Sequence, residues 1–139
     1  MKSKIRKEVE KIKKSMGYEE RSVKNFLDFI NWFYISKFQF LSENFIREFK
    51  DKVDWYWISE YQKLSESFIR EFKDKVNWGN IVEKQRISKD FIYEMLDYIK
   101  KPDFYKGIPF NFCIENNLIT HKYIEDREKI HNRFELLDL

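Results

Sequence analysis

Residues 41–63, LSENFIREFKDKVDWYWISEYQK, run directly into residues 64–86, LSESFIREFKDKVNWGNIVEKQR. The two stretches are tandem copies at a period of 23 residues. Such a repeat decides the architecture, because one short unit cannot bury its apolar face alone. Stepping back by 23 from Val53, Trp55, Ile58 and Gln62 lands on Ile30, Trp32, Ile35 and Gln39, so residues 18–40 form an earlier, diverged copy. Going forward, Ile87-Ser88 with Phe91-Ile92 and Glu94 opens a further copy. Ile119-Thr120 with Tyr123-Ile124 repeats the same opening, and reading back from it puts Phe110 at the Trp position, Cys113 at the Ile position and Asn117 at the Gln position. Ile87 and Ile119 lie 32 residues apart, which implies a nine-residue insertion. Lys101-Pro102-Asp103 to Gly107-Ile108-Pro109, holding both prolines, is its place. About five copies therefore follow one another, near 18–40, 41–63, 64–86, 87–108 with the insertion, and 109–137.

Each copy reads as two short helices. Ser42, Ser65 and Ser88 are expected N-caps, and Asn31, Asp54 and Asn77 cap a second helix just before its aromatic residue. Leu41 with Ile46, Leu64 with Ile69 and Ile87 with Ile92 stand at the positions of a hydrophobic staple, as do Val53 with Ile58 and Val76 with Ile81. Phe45, Ile46, Phe49 and Val53 predict an apolar stripe along a first helix of about ten residues. Helices that short are marginal alone and must stack on neighbouring copies. The expected fold is all-α, a solenoid-like array of two-helix units behind a leading helix at 1–17. The glutamines at 39, 62 and 85, near the end of each second helix, are expected to bind exposed carbonyls or the next helix start, a ladder that hydrogen-bonds a ligand being the alternative.

The composition agrees with an all-helical chain. Its 139 residues, 19% aromatic and 42% hydrophobic, exclude disorder, and three Gly with two Pro leave little turn chemistry for an all-β fold. Charges occur too often for a membrane span. Lys, Ile, Phe, Asn and Tyr supply 67 residues while Ala is absent, a bias toward AT-rich codons that suggests an AT-rich bacterium, a phage or a large DNA virus. The net charge of +3 is unevenly placed. Residues 1–16 hold seven basic and two acidic groups, residues 17–86 are neutral, and residues 87–139 carry −2. Ile5, Val9, Ile12 and Met16 make the leading segment a cationic amphipathic helix. Its Lys2, Lys4, Arg6, Lys7, Lys11, Lys13 and Lys14 are candidates for nucleic-acid phosphates, an anionic membrane being the other anionic surface it suits. The alternative is that the apolar stripe closes the open end of the domain.

Differences between copies mark a second candidate site. After the repeat Trp stand Phe33-Tyr34, then Tyr56-Trp57, then Gly79-Asn80, and six residues after it stand Phe38, Tyr61 and Lys84. Tyr34 with Phe38 and Trp57 with Tyr61 are i,i+4 neighbours. Stacked copies would align Phe33, Tyr34, Phe38, Tyr56, Trp57 and Tyr61 into an aromatic band that stops at the third copy. The rings are either ordinary core, a patch for a protein partner or second subunit, or a stacking platform for bases.

No catalytic constellation is visible. Cys113 is the only cysteine, so neither an intrachain disulfide nor a Cys-x-x-Cys zinc site can form, and a cytoplasmic setting fits best. At a repeat Ile position it reads as a small buried hydrophobe. His121 and His131 do not share a face at metal-ligand spacing. Glu48 with Asp51 and Glu71 with Asp74 are interleaved with Arg47, Lys50, Arg70 and Lys73, as surface ion pairs are. The first residues lack the apolar run of a signal peptide. No enzyme, cofactor or metal is expected.

The motif L-S-x-x-F-I-x-E-F-x-D-x-V-[DN]-W-x-x-I-x-x-x-Q, carried by 41–62 and 64–85, resembles repeats in uncharacterised proteins of phages, AT-rich bacteria and large DNA viruses. The resemblance implies a repeat type and no activity. The expected function is a non-enzymatic, protein-binding helical-repeat module, its partner another protein or a second copy of the chain. One concrete version is a small phage inhibitor of a host defence nuclease, such as an anti-CRISPR protein, acting in the host-cell cytoplasm by occlusion. The alternative is a nucleic-acid-binding protein that uses the basic segment and the aromatic band.

Overall fold

The computed structural model describes residues 1–137. Among them every regular element is a helix: α1 Ser3–Ser15, α2 Val23–Phe29, α3 Trp32–Phe38, α4 Glu43–Glu48, α5 Trp55–Tyr61, α6 Glu66–Glu71, α7 Trp78–Lys84, α8 Lys89–Glu94, α9 Leu96–Ile99, α10 Pro109–Glu115 and α11 His121–Leu137. The one isolated β-bridge, Asp103 with Gly107, closes a turn. The chain divides into two compact units, residues 1–64 and residues 65 onward, one residue past a repeat boundary.

The caps fall where side-chain chemistry demands. The hydroxyls of Ser42, Ser65 and Ser88 accept the backbone N–H of Phe45, Phe68 and Phe91, and Thr120 accepts that of Tyr123. Asn31, Asp54 and Asn77 accept the N–H of Tyr34, Tyr56 and Asn80. In the first copy the cap is Ser22, three residues past the strict register of Ser42. There α2 runs almost directly into α3, where later copies place a turn.

That turn corrects the expected length of the first helices. α4 and α6 have six residues rather than about ten, and the chain leaves helical geometry at Phe49 and Phe72, where ψ is 30°. The indole N–H of Trp55 donates to the carbonyl of Lys50 at 2.9 Å, and that of Trp78 to Lys73 at 3.0 Å. The repeat Trp thus ties down the turn before its own helix. Val53 and Val76 are buried in the turn, not on the helix.

In the first unit, α1 contributes Ile5, Val9 and Ile12 to the core and packs against α2 and α4. It ends in a Schellman motif: Gly17 has φ +80°, Tyr18 N–H reaches Lys13 O at 2.9 Å, and Gly17 N–H reaches Lys14 O at 3.1 Å. Trp32 lies 6.4 Å from Phe45 and 5.2 Å from Phe49, ring centre to ring centre, so one copy's Trp packs on the next copy's Phe pair. Gln62 is buried, and its Nε2 donates to Ser36 O at 2.9 Å and Gln39 O at 2.7 Å while its Oε1 accepts Leu41 N–H at 2.9 Å. It joins the end of α3 to the start of the following copy, as expected of that position. Ser36 completes the junction, donating to Trp32 O and accepting Asp54 N–H.

In the second unit Trp78 lies 6.2 Å from Phe91 and 5.8 Å from Tyr98. The insertion falls between α9 and α10, and Pro109 occupies the first turn of α10, where its missing N–H costs nothing. A Cβ on Gly79 would stand 3.1 Å from Asp103 and 3.2 Å from Lys106, so the inserted loop lies directly over α7. α10 ends at Asn117 (φ 56°), with Leu118 N–H on Cys113 O at 2.9 Å. That Schellman ending replaces the extended residue found at Gln39, Gln62 and Gln85. α11 buries Ile124 and then continues with its remaining residues exposed.

Candidate functional site

The six aromatic candidates all lie on α3 and α5, which pack against each other in the first unit. Phe33 meets Trp57 edge to face at 5.3 Å, Tyr34 lies 4.8 Å from Phe38, Tyr56 lies 4.9 Å from Trp57, and Trp57 stacks on Tyr61 at 5.6 Å. The band expected from the copy differences is therefore present across α3 and α5. It is not closed core: Phe33, Tyr34, Phe38 and Tyr61 are 45, 43, 57 and 54% exposed. Tyr56 and Trp57 are half-buried beneath them. The buried residues of the two helices are Ile35, Ser36, Ile58 and Ser59, on the opposite face.

Lys37 stands in the middle of this surface. Its ammonium lies 4.3 Å from the Trp57 ring centre, 5.1 Å from Phe38, 5.9 Å from Tyr61 and 6.0 Å from Phe33. The nearest of these, to Trp57, is a cation–π attraction of about 0.5–1 kcal/mol. Among the described residues Lys37 has no carboxylate partner. The face is thus apolar and aromatic with one central positive charge. In the second unit the equivalent face of α7 is covered: Gly79 and Asn80 are buried, and Lys106 pairs with Glu83. That cover gives the physical reason why the aromatic residues stop at the third copy.

The basic candidates divide. Lys2, Lys4, Arg6, Lys7, Lys11 and Lys14 are exposed, whereas Lys13 is 3% exposed and its ammonium bonds Glu10 at 3.0 Å. Lys13 is therefore a structural residue and leaves the phosphate-contact set. The apolar stripe of α1 is occupied by the core, so it has no free apolar face to lay in a membrane.

Groups with chemical potential are dispersed. Cys113 is fully buried on α10, and burial pushes its thiol up to about 11, which keeps it protonated and unreactive at neutral pH. His121 packs edge-on against Phe110, and His131 faces Glu135 on its own helix at 3.0 Å. Glu48, Asp51, Glu71 and Asp74 are exposed, and Arg70 holds Glu94 with two bonds of 2.6 and 3.1 Å. Among the described residues no three His, Cys, Asp or Glu gather as a metal site, and no helix is long and apolar enough to cross a membrane.

Three exposed features escape a reading of the repeat. Phe40 is 98% exposed at the position where later copies carry Lys63 and Arg86. Phe104 and Tyr105, 92 and 71% exposed, tip the inserted loop, which Asp103 Oδ1 holds by accepting two backbone N–H groups. Ile130, Phe134 and Leu137 form an exposed apolar line on α11. A comparison of each copy with its neighbours would have singled out Phe40, since it departs in kind from the repeat. Compared with protein families, curated proteins and solved structures, the chain matches none.

Proposed function

We propose that the protein is a non-enzymatic binding module whose α3/α5 face docks another protein. The observation that carries this reading is the exposure of Phe33, Tyr34, Phe38 and Tyr61 around Lys37. Exposed aromatic clusters of this kind are the usual anchors of protein interfaces. Burying the face would remove Lys37 from water, so the partner is expected to bring a carboxylate to its ammonium within an apolar surround. A reducing, cytoplasmic setting accords with the lone buried thiol. The narrower version, occlusion of a host defence nuclease, is supported by small size and phage-like composition.

The test is affinity capture from the native host with the wild-type chain and with Phe33→Ser/Phe38→Ser, alongside mass measurement of the purified protein and thermal unfolding. A partner held by the wild type and lost by the variant, at unchanged melting temperature, supports the reading. A purified dimer that the variant dissolves would make a second copy the partner. Equal capture by both proteins would remove the face from the account.

A further inference from the structure

We propose that the outer face of α1, together with Phe40, is a binding groove for single-stranded nucleic acid, separate from the α3/α5 face. The groove lies between α1 and the segment leading into α4, has a volume of about 670 Å³, and brings Lys7, Lys11, Gln39 and Phe40 to one wall set. Its continuation along α1 and α4, about 510 Å³, is lined by Lys2, Lys4, Asn44 and Arg47, three basic groups against the carboxylates of Glu8 and Glu48.

Charge complementarity selects the occupant. Lys4, Lys7, Lys11 and Lys14 recur at three- and four-residue spacing and so share one face of α1, turned away from Ile5, Val9 and Ile12. They form a line about 15 Å long at 1.5 Å per residue. Of the two acidic residues of this helix, Glu10 is paired with Lys13, while Glu8 holds Ser42 and keeps its charge at the edge of the groove. Among the described residues none of the four lysines makes an ion pair. The line is therefore a row of four cations without ion-pair partners, net positive against the single carboxylate of Glu8 and suited to a row of phosphates.

Phe40 supplies what a phosphate row alone lacks. Its ring is almost wholly exposed in the same groove as Lys7 and Lys11, and neither packing nor the repeat calls for a ring there. Sequence-tolerant binding of single strands combines a basic track with a stacking ring. A duplex keeps its bases stacked on one another and offers none to Phe40. An anionic membrane is the poorer fit, because the apolar side of α1 is buried in the unit's own core.

The experiment is fluorescence anisotropy of a labelled oligothymidine, and of a duplex of equal length, with the full chain and with Lys7→Ala/Lys11→Ala and Phe40→Ala. All three substituted residues are exposed, and unchanged thermal unfolding verifies the fold. Four phosphate contacts to a single strand give a log–log salt slope of about −3, a loss of roughly fifty-fold between about 50 and 200 mM salt. The double lysine variant should halve that slope. Phe40→Ala should leave the slope alone and weaken the single strand by roughly five- to hundred-fold without affecting the duplex. No retention at low salt overturns the proposal, as does a duplex bound as tightly as the single strand with Phe40→Ala silent. Preference for phosphatidylserine vesicles over the oligonucleotide overturns it too. None of these results bears on the α3/α5 face, which both variants leave intact.

Discussion

The carboxylate of Glu8, on α1, accepts hydrogen bonds from both the N–H and the hydroxyl of Ser42, the cap of α4, at 2.8 and 2.6 Å. In the second unit Glu66 makes the same pair of contacts with Ser88, at 2.6 and 3.3 Å. Glu66 stands 22 residues before its serine, within the repeat, whereas Glu8 stands 34 residues before its own. A helix outside the periodicity thus supplies a periodic contact: α1 takes the place beside α4 that a preceding first helix would hold, and α2 becomes a linker to α3. The equivalence predicts a measurable coupling. Ser42→Ala should lose about 1 kcal/mol of stability as a removed cap. In a double-mutant cycle with Glu8→Ala, urea titration should give an interaction energy of at least about 0.5 kcal/mol. Strict additivity would show that the contact contributes nothing.

Gln62→Leu should destabilise by about 2–4 kcal/mol, because it strands Leu41 N–H and the carbonyls of Ser36 and Gln39. Gln39→Leu is the control. Among the described residues its amide meets only the Ser15 hydroxyl, at 3.4 Å, in a partly exposed site, and its change should stay within about 0.5 kcal/mol. Equal effects at the two positions would sink the junction role assigned to Gln62.

Gly79→Ala sets helix propensity against space. Alanine gains about 1 kcal/mol in a helix interior, yet its Cβ meets Asp103 and Lys106 at 3.1 and 3.2 Å. The inserted loop should therefore shift, and the variant should be no more stable than the wild type by thermal melting. Adding Asp103→Ala removes the nearest atoms and should restore part of the propensity gain. A clear rise in melting temperature for Gly79→Ala alone would mean the loop does not rest on α7.

Cys113 offers a chemical clock for the second unit. At pH 8 the native thiol should resist iodoacetamide and react quickly in denaturant, since burial keeps it protonated. Its folded pKa of about 11 lies above the unfolded value, so its contribution to stability is complete below that unfolded value and is lost as pH rises toward 11. On the acid side Glu94 has the opposite sign: its hydrogen bond to Arg70 lowers its pKa, so its contribution is present above the unfolded carboxylate range and lost as pH falls. Alkylation in native buffer at the denatured rate would contradict the burial.

Much of the local structure was legible because capping and stapling act over three to five residues. Ser42, Ser65, Ser88, Asn31, Asp54 and Asn77 all cap the helices expected of them. Cys113, at a repeat Ile position, is as buried as Ile58 and Ile81. Helix length was harder to read, because the apolar pattern from Phe45 to Val53 persists through a turn held by the Trp55 indole. The pairing of Ser36 with Asp54 was invisible, since its partner lies a repeat away in an orientation that spacing alone does not define.

The amino-acid sequence by itself determined the all-helical class, the 23-residue unit and the residues that cap α3 to α8, because those follow from side chains acting on their own neighbourhood. Only the tertiary structure decided which surfaces are open. Phe33, Tyr34, Phe38 and Tyr61 could as well have been core, and Lys13 could as well have faced water beside Lys11 and Lys14. Exposure depends on what other segments cover. The inserted loop covers α7, the core takes the apolar stripe of α1, and nothing in the first unit closes over α3 and α5.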